Sequence, residues 1–430
     1  PRSTPKPSSA ASDVYKRQSD GFLGLDSVQP FLAESFPAGT FQGKKVLLIV
    51  PDSTRTAPVG WMFQTLFKLH AKSAAAMDVM IALGTHQPMS EEAICQRLEI
   101  NLEERKSTYA SVSFFNHQWD RPEALKEIGV ITKEEIHAMT GGRFSMDVPV
   151  RVNKKLYEYD QILIVGPVFP HEVVGFSGGN KYLFPGVSGP EVLNFFHWLA
   201  AIITNPKIIG HKWTAVRKVI DRAGAAVTIP KQALCMVVTH QGLKGLFTGT
   251  PESAWDEAAD LSAQTHIEYR EKPYHTVLSC APAMYDELWV GGKCMYKLEP
   301  VLADDGELII YAPHIKEISL THGKLIHQIG YHCRDYFVQQ WDQFKDLPWG
   351  ILAHSTHVRG IGQWMDGREI PRVKVTLATG IPETVCREIN LGYRNPESMN
   401  PADYANREAE GILMVPKAGE TLFQLNHPPQ

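Results

Sequence analysis

KVLLIVPDSTRTAPVGWMFQTLFKL, residues 45–69, joins an apolar run to a polar turn and then to a helical pattern of apolar positions. An unbroken apolar run of this length reads as a strand buried on both faces, the kind found where helices cover both sides of a parallel sheet. Thr56 is placed to cap the helix, Pro58 is tolerated in its first turn, and WMFQTLFKL supplies the apolar face. The unit then recurs. DVMIAL (78–83) runs into GTHQPMSEE, where Ser90 can cap a helix carrying Ile94 and Leu98. QILIVGPV (161–168) runs into PHEVVGFSGGNKYLFPGVSGPE, where Ser188 and Glu191 have capping-box spacing. The helix behind it, VLNFFHWLAAII, is apolar almost all round and is expected to be buried.

Further strand-length runs are CMVVTH (235–240), HTVLSC (275–280), ELIIYA (307–312), VKVTLA (373–378) and GILMVP (411–416). The reading is an α/β protein of two α/β domains with an active-site crevice between them. At roughly 150 residues per domain, a chain of 430 residues has material for two to three. The charged, proline-containing segment EYREKPYH (268–275) marks the boundary. That gives a cofactor-binding catalytic domain over 21–268 and a second domain over 269–430, with 408–430 expected to return to the first. Residues 1–20, rich in Pro, Ser and charge, read as a disordered tail.

Composition removes several classes. With 43 Lys+Arg against 47 Asp+Glu, the formal charge is −4 and no basic run is available to follow a nucleic-acid backbone. No stretch approaches the roughly 20 apolar residues that span a bilayer, so no membrane partner is expected. The six cysteines are scattered without a C-x-x-C pair, which suits a reducing cytoplasm better than a disulfide framework or a zinc ribbon.

In open α/β sheets reactive groups gather at the carboxyl ends of the strands, because the loops there converge on one crevice. Three polar clusters occupy such positions: Asp52, Ser53, Thr54 and Arg55; Thr85 and His86; and His171 through Lys181. In GFSGGNKYLFPG, small residues precede Lys181 and leave backbone N–H groups free to turn toward an anion. The segment is neither a dinucleotide fingerprint nor a Walker A loop, and an ordinary glycine turn with a solvated lysine remains open. His86 and His171 are candidates for acid/base work, against the alternative of loop histidines bonded to backbone. His197, inside the apolar helix, needs a hydrogen-bond partner or a metal. Arg55 and Lys293 offer cations to a carboxylate, or else surface ion pairs. Trp341, one of nine tryptophans, reads as core; His117, His240, His354 and His357 read as structural, with nothing tying them to the other clusters.

Taken together, DSTRTAP, GTHQP, PHEVVGFSGGNKYLFPG and NFFHW resemble the lactate racemase family, nickel-pincer nucleotide enzymes that invert 2-hydroxy acids. The order and spacing of these blocks match over roughly residues 60–200, with weaker similarity through GGK near 293 and GILMVP near 415. The resemblance implies that Lys181 tethers the nickel-pincer nucleotide and that His197 ligates nickel. It implies acid/base roles for His86 and His171, one for each face of C2, and substrate carboxylate binding by Arg55 and Lys293. Asp52, Thr54, Ser177, Gly178 and Gly179 would bind the ribose and phosphate of the cofactor. The implied partners are a small 2-hydroxy acid and the enzymes that synthesise the cofactor. Val290, Asn180 and Gln87 replace residues usual in the family's lactate enzymes, a glutamine and two arginines, and point to a substrate other than lactate, larger or more polar, such as a sugar acid. Two other readings compete: a hydrolase with His86, His171 and His197 around a metal, and a non-catalytic protein that only holds the cofactor or a hydroxy acid.

Overall fold

The computed structural model describes residues 15–54 and 56–426, and of residues 15–20 the backbone alone. The first sheet runs in the order Tyr15–Leu23, Gly242–Gly249, Lys231–Thr239, Gln161–Pro167, Lys45–Pro51, Ala76–Ala82, Phe114–Asn116. The last five strands are parallel, and the first two complete the sheet antiparallel. Val46 through Pro51 and all of Gln161–Pro167 are buried, as the unbroken apolar runs require of central strands covered on both faces.

The order contains a switch. From Lys45–Pro51 the chain crosses to Ala76–Ala82 on one side; from Gln161–Pro167 it crosses to Lys231–Thr239 on the other. Loops leaving two adjacent strands in opposite directions open a crevice at their carboxyl ends. It is here that Asp52, Thr54 and the segment from His171 emerge. The second sheet has the order Gly392–Tyr393, Lys374–Thr379, Leu302–Ala312, Tyr274–Cys280, Ile412–Val415, and every pairing in it is parallel. The α/β architecture with two parallel-rich sheets is therefore the one expected. We propose 268/269 as the boundary between the two domains, since the short strand Ile267–Arg270 lies between the helix Pro251–His266 and the first strand of the second sheet.

Helix Pro190–Ile203 belongs to both halves. Phe195, Phe196, Leu199 and Ala200 pack into the core of the first, while Trp198 and Ala201 pack into the core of the second. That is the physical reason for its nearly all-round apolar character. Trp198 stacks on Trp341 with ring centroids 5.1 Å apart and planes 9° apart, so Trp341, half-buried, packs against the core. Asn194 Oδ1 accepts the Gly350 N–H at 2.9 Å, tying this helix to the start of helix Trp349–Arg359.

Several local expectations are corrected. Tyr15–Leu23 is a strand rather than part of a disordered tail, because its ladder to Gly242–Gly249 is made by backbone groups and needs no apolar signal. Ser90 does cap its helix, accepting the Ala93 N–H at 3.2 Å. Thr56 does not cap, since the helix starts at Val59 after Pro58. Nor do Ser188 and Glu191 form a capping box: Gly189 is the N-cap, Pro190 has no N–H to satisfy, and Glu191 pairs with Arg151 at 2.7 Å. Ile412–Val415 does not return to the first domain but joins the second sheet beside Tyr274–Cys280. Beyond it, Leu422–Leu425 pairs with Ile267–Arg270, and Gln424 reaches the Ile209 carbonyl.

Because Trp198 is 2% exposed between the two halves, Trp198→Ala is expected to destabilise the protein by about 3–5 kcal/mol. Urea unfolding measures this, and a loss below about 1 kcal/mol would show that the helix does not join the two cores.

Candidate active site

A cavity of about 450 Å³ lies between the carboxyl ends of strands of the first sheet and the helices and loops of the second half. Its size is that of a small-molecule site. Asp52, Thr54, His86, His171, Ser177, Gly178, Lys181, His197 and Lys293 all border it. Gly179 sits behind that wall, and Arg55 lies outside the described residues.

His86 and His171 follow strands on either side of Lys45–Pro51. Two interstrand spacings amount to roughly 10 Å, enough for a small molecule between their side chains. Each histidine has a carboxylate neighbour. His86 Nδ1 lies 2.6 Å from Asp52 Oδ2, so its Nδ1–H donates to the carboxylate and Nε2 is the nitrogen left for a ligand. Asp52 Oδ1 in turn accepts from Thr54 N at 3.1 Å and Thr54 Oγ1 at 2.6 Å. The local fold thus directs Asp52 and Thr54, expected at the cofactor, toward His86. His171 Nδ1 accepts the Val173 N–H at 3.1 Å and also lies 3.1 Å from Glu172 Oε2. The first contact suits a neutral ring protonated on Nε2; the second suits an imidazolium. His171 can therefore hold a proton toward the cavity in either state.

The loop leading to Lys181 is fixed from outside. Arg217, 1% exposed, donates to the Phe176 carbonyl at 2.6 Å and lies 3.8 Å over the Trp255 ring, whose Nε1–H donates to the Ser177 carbonyl at 2.9 Å. Ser177 Oγ accepts the Phe169 N–H at 2.9 Å. At Gly178, φ is +91° and a Cβ would come within 2.6 Å of Val168 Cγ2, so the cavity wall here is backbone by necessity.

His197 projects from helix Pro190–Ile203, its Nδ1–H donating to the Leu193 carbonyl at 2.7 Å. Burial is the main cause that brings its pKa down to about 4; the bond to Leu193 opposes the shift and the Lys181 ammonium adds to it. The ring is neutral at pH 7, and Nε2 keeps its lone pair for a ligand. Lys181, His197 and the glycine wall thus supply an amine, a soft nitrogen donor and a side-chain-free surface in one cavity, a set that fits a lysine-tethered, metal-bearing nucleotide. Among the described residues no group of three or more His, Cys, Asp or Glu is arranged to hold a metal ion, so the three-histidine hydrolase site is not assembled.

Three histidines that sequence reasoning missed or set aside also border the cavity: His322, His354 and His357. His354 and His357 share one face of helix Trp349–Arg359 at i,i+3 spacing, a signal that was present. Nothing in the sequence marked His322, which follows a loop of the second half. Burial pushes His322 to about 4 and His357 to about 3, and drives His354 well below the ordinary range; neighbouring imidazoles add to each shift. Glu172, Trp119 and Trp289 complete the missed set. Of the three departures from the family pattern, Val290 borders the cavity, while Gln87 donates to Thr321 Oγ1 at 2.8 Å across the cleft. Asn180, fully buried behind the loop, donates to Asp221 and Glu252 at 3.1 and 2.6 Å.

Residues 26–208 match the lactate racemase N-terminal domain. This N-terminal part of the chain carries the domain of the lactate racemase family. A lactate racemase from Thermoanaerobacterium thermosaccharolyticum is 26% identical over 197 residues, 45% of this chain, and the match spans only 39% of that enzyme's length. A solved protein from Thermotoga maritima superposes with a TM-score of 0.87 at 32% identity, covering 95% of this chain and 100% of that one. The lactate racemase apoprotein from T. thermosaccharolyticum shares the fold, with a TM-score of 0.68 at 16% identity over 91% of this chain and 88% of that one. Asp52, His86, His171, Lys181 and His197 fall inside the matched family domain; Lys293, His322, His354 and His357 fall outside it.

The protonation states give a direct check. By ¹⁵N NMR, His197 is expected to be neutral with its proton on Nδ1 at pH 6, and His322 and His357 are expected to stay neutral there as well. The unfolded chain takes up these protons below about pH 6.5 while the folded chain does not, so each ring costs stability as pH falls from about 6.5 toward 4. Titration of His197 above pH 6 would contradict its burial.

Proposed function

We propose that this protein is a racemase or epimerase that inverts C2 of a 2-hydroxy acid, with a nickel-pincer nucleotide tethered to Lys181 and its nickel ligated by His197. The observation that carries the reading is the pair His86 and His171. Each is backed by a carboxylate, and they follow the strands on either side of Lys45–Pro51, in a cavity shared with Lys181 and His197. Inversion needs a proton-transfer group on each side of the carbon, and a binding protein needs neither. When bound, the cofactor supplies the hydride chemistry at C2.

The chain's own residues do the rest. Unprotonated His86 Nε2 takes the proton of the substrate hydroxyl, and Asp52 stabilises the imidazolium that forms, as a carboxylate does in an Asp–His pair. His171, able to carry a proton on Nε2, returns one to the oxygen from the other side; in the reverse direction the two exchange roles. Lys293, which opens the short helix Lys293–Tyr296, and Arg55 hold the substrate carboxylate. Ser177 and Gly178 present backbone to the nucleotide phosphate, Gly179 supports them from behind the wall, and Thr54 borders the same space. The implied partners are the small hydroxy acid and the cofactor-synthesis enzymes.

Intact mass of protein produced together with those enzymes is expected to show an adduct that Lys181→Ala abolishes, and His197→Ala is expected to lower nickel content. His86→Asn and His171→Asn should each reduce net inversion by about 10²–10⁴-fold. An unmodified Lys181 with full activity, or parental inversion in either histidine variant, contradicts the proposal.

A further inference from the structure

The reaction at C2 leaves one side of the cavity without a task. Along it, Trp119 lies 6.3 Å from His322, His322 lies 4.7 Å from Trp289, and Trp289 stacks on His354 at 3.8 Å and 26°. His357, three residues further along the same helix, is 3% exposed and borders the cavity, and its Nε2 meets no hydrogen-bond partner among the described residues. His322 Nε2 reaches Thr85 Oγ1 at 3.3 Å, which links this side to the loop that carries His86.

A neutral imidazole offers one donor and one acceptor. An alkyl tail would leave the buried His357 Nε2 unpaired and offer nothing to His322 and His354, whose Nε2 atoms have long contacts to Thr85 Oγ1 (3.3 Å) and Tyr331 Oη (3.5 Å), and each unpaired group lowers affinity. A second carboxylate would find acceptors facing it as well as donors. A hydroxyl both gives and takes a hydrogen bond, so a row of hydroxyls matches a row of neutral imidazoles. Packing on Trp289 holds the rings of His322 and His354 in orientation before any ligand arrives.

We propose that this side of the cavity binds the hydroxylated carbon chain of the substrate, making the protein selective for polyhydroxylated 2-hydroxy acids. His322, His354 and His357 are the hydroxyl partners, and Trp289 is a positioning residue. This rests on the C2 reading and deepens it by naming the substrate class.

The test titrates the cofactor-loaded protein calorimetrically with lactate, glycerate, threonate and gluconate, and follows C2 inversion of each acid by chiral chromatography. Affinity is expected to rise at least tenfold from lactate to the best polyhydroxylated acid. In His322→Phe and His354→Phe it should fall at least tenfold for that acid, erasing the selectivity. Lactate binding as tightly as every longer acid overturns the proposal, and so does undiminished selectivity in folded variants. If neither variant folds, the series on the parent protein decides alone. Tight binding of a polyhydroxylated acid without inversion supports the substrate class while overturning the C2 chemistry; inversion with flat affinity does the reverse.

Discussion

Helix Pro190–Ile203 must satisfy two hydrophobic cores at once, and the rest of the structure is arranged around that demand. Its residues alternate between the first core, through Phe195, Phe196 and Leu199, and the second, through Trp198 and Ala201. A helix used this way has almost no solvent face, so a polar residue on it must find a purpose. Asn194 finds one in the Gly350 N–H. His197 finds half of one in the Leu193 carbonyl, and its remaining nitrogen faces the cavity where the two halves meet.

The same burial sets the electrostatics. Helix Trp349–Arg359, packed against Pro190–Ile203, brings His354 and His357 near His197, and in that low-dielectric space none of the three can carry charge at neutral pH. His86 and His171 are placed differently, each with a carboxylate within 3.1 Å. The cavity thus separates two kinds of imidazole: those with an acidic partner, suited to moving protons, and those without one, suited to neutral hydrogen bonding.

The glycine loop shows how a binding surface is held by groups that never reach it. Arg217 and Trp255 engage the carbonyls of Phe176 and Ser177 from behind. Asn180, between the carboxylates of Asp221 and Glu252, anchors the residue next to Lys181. Gln87 acts at the cleft instead, through Thr321. Of the three departures from the family pattern, only Val290 reaches the cavity wall, and it places an apolar surface there.

By itself the sequence determined the layering and one wall of the site. Runs such as KVLLIV and QILIVGP can only be doubly buried strands, and the polar loops after them must lie at one edge of the sheet, so His86, His171 and Lys181 were legible as candidates. The edge strand Tyr15–Leu23 was not, because backbone pairing leaves no side-chain pattern. Tertiary structure alone decided the partners. Asp52 meets His86 across 34 positions of chain, and Thr85 meets His322 across 237. Periodicity encodes which face of an element is buried; it does not encode which distant element will cover it. The second wall, with His322, His354, His357 and Trp289, therefore became visible only once helix Pro190–Ile203 had brought the two cores together.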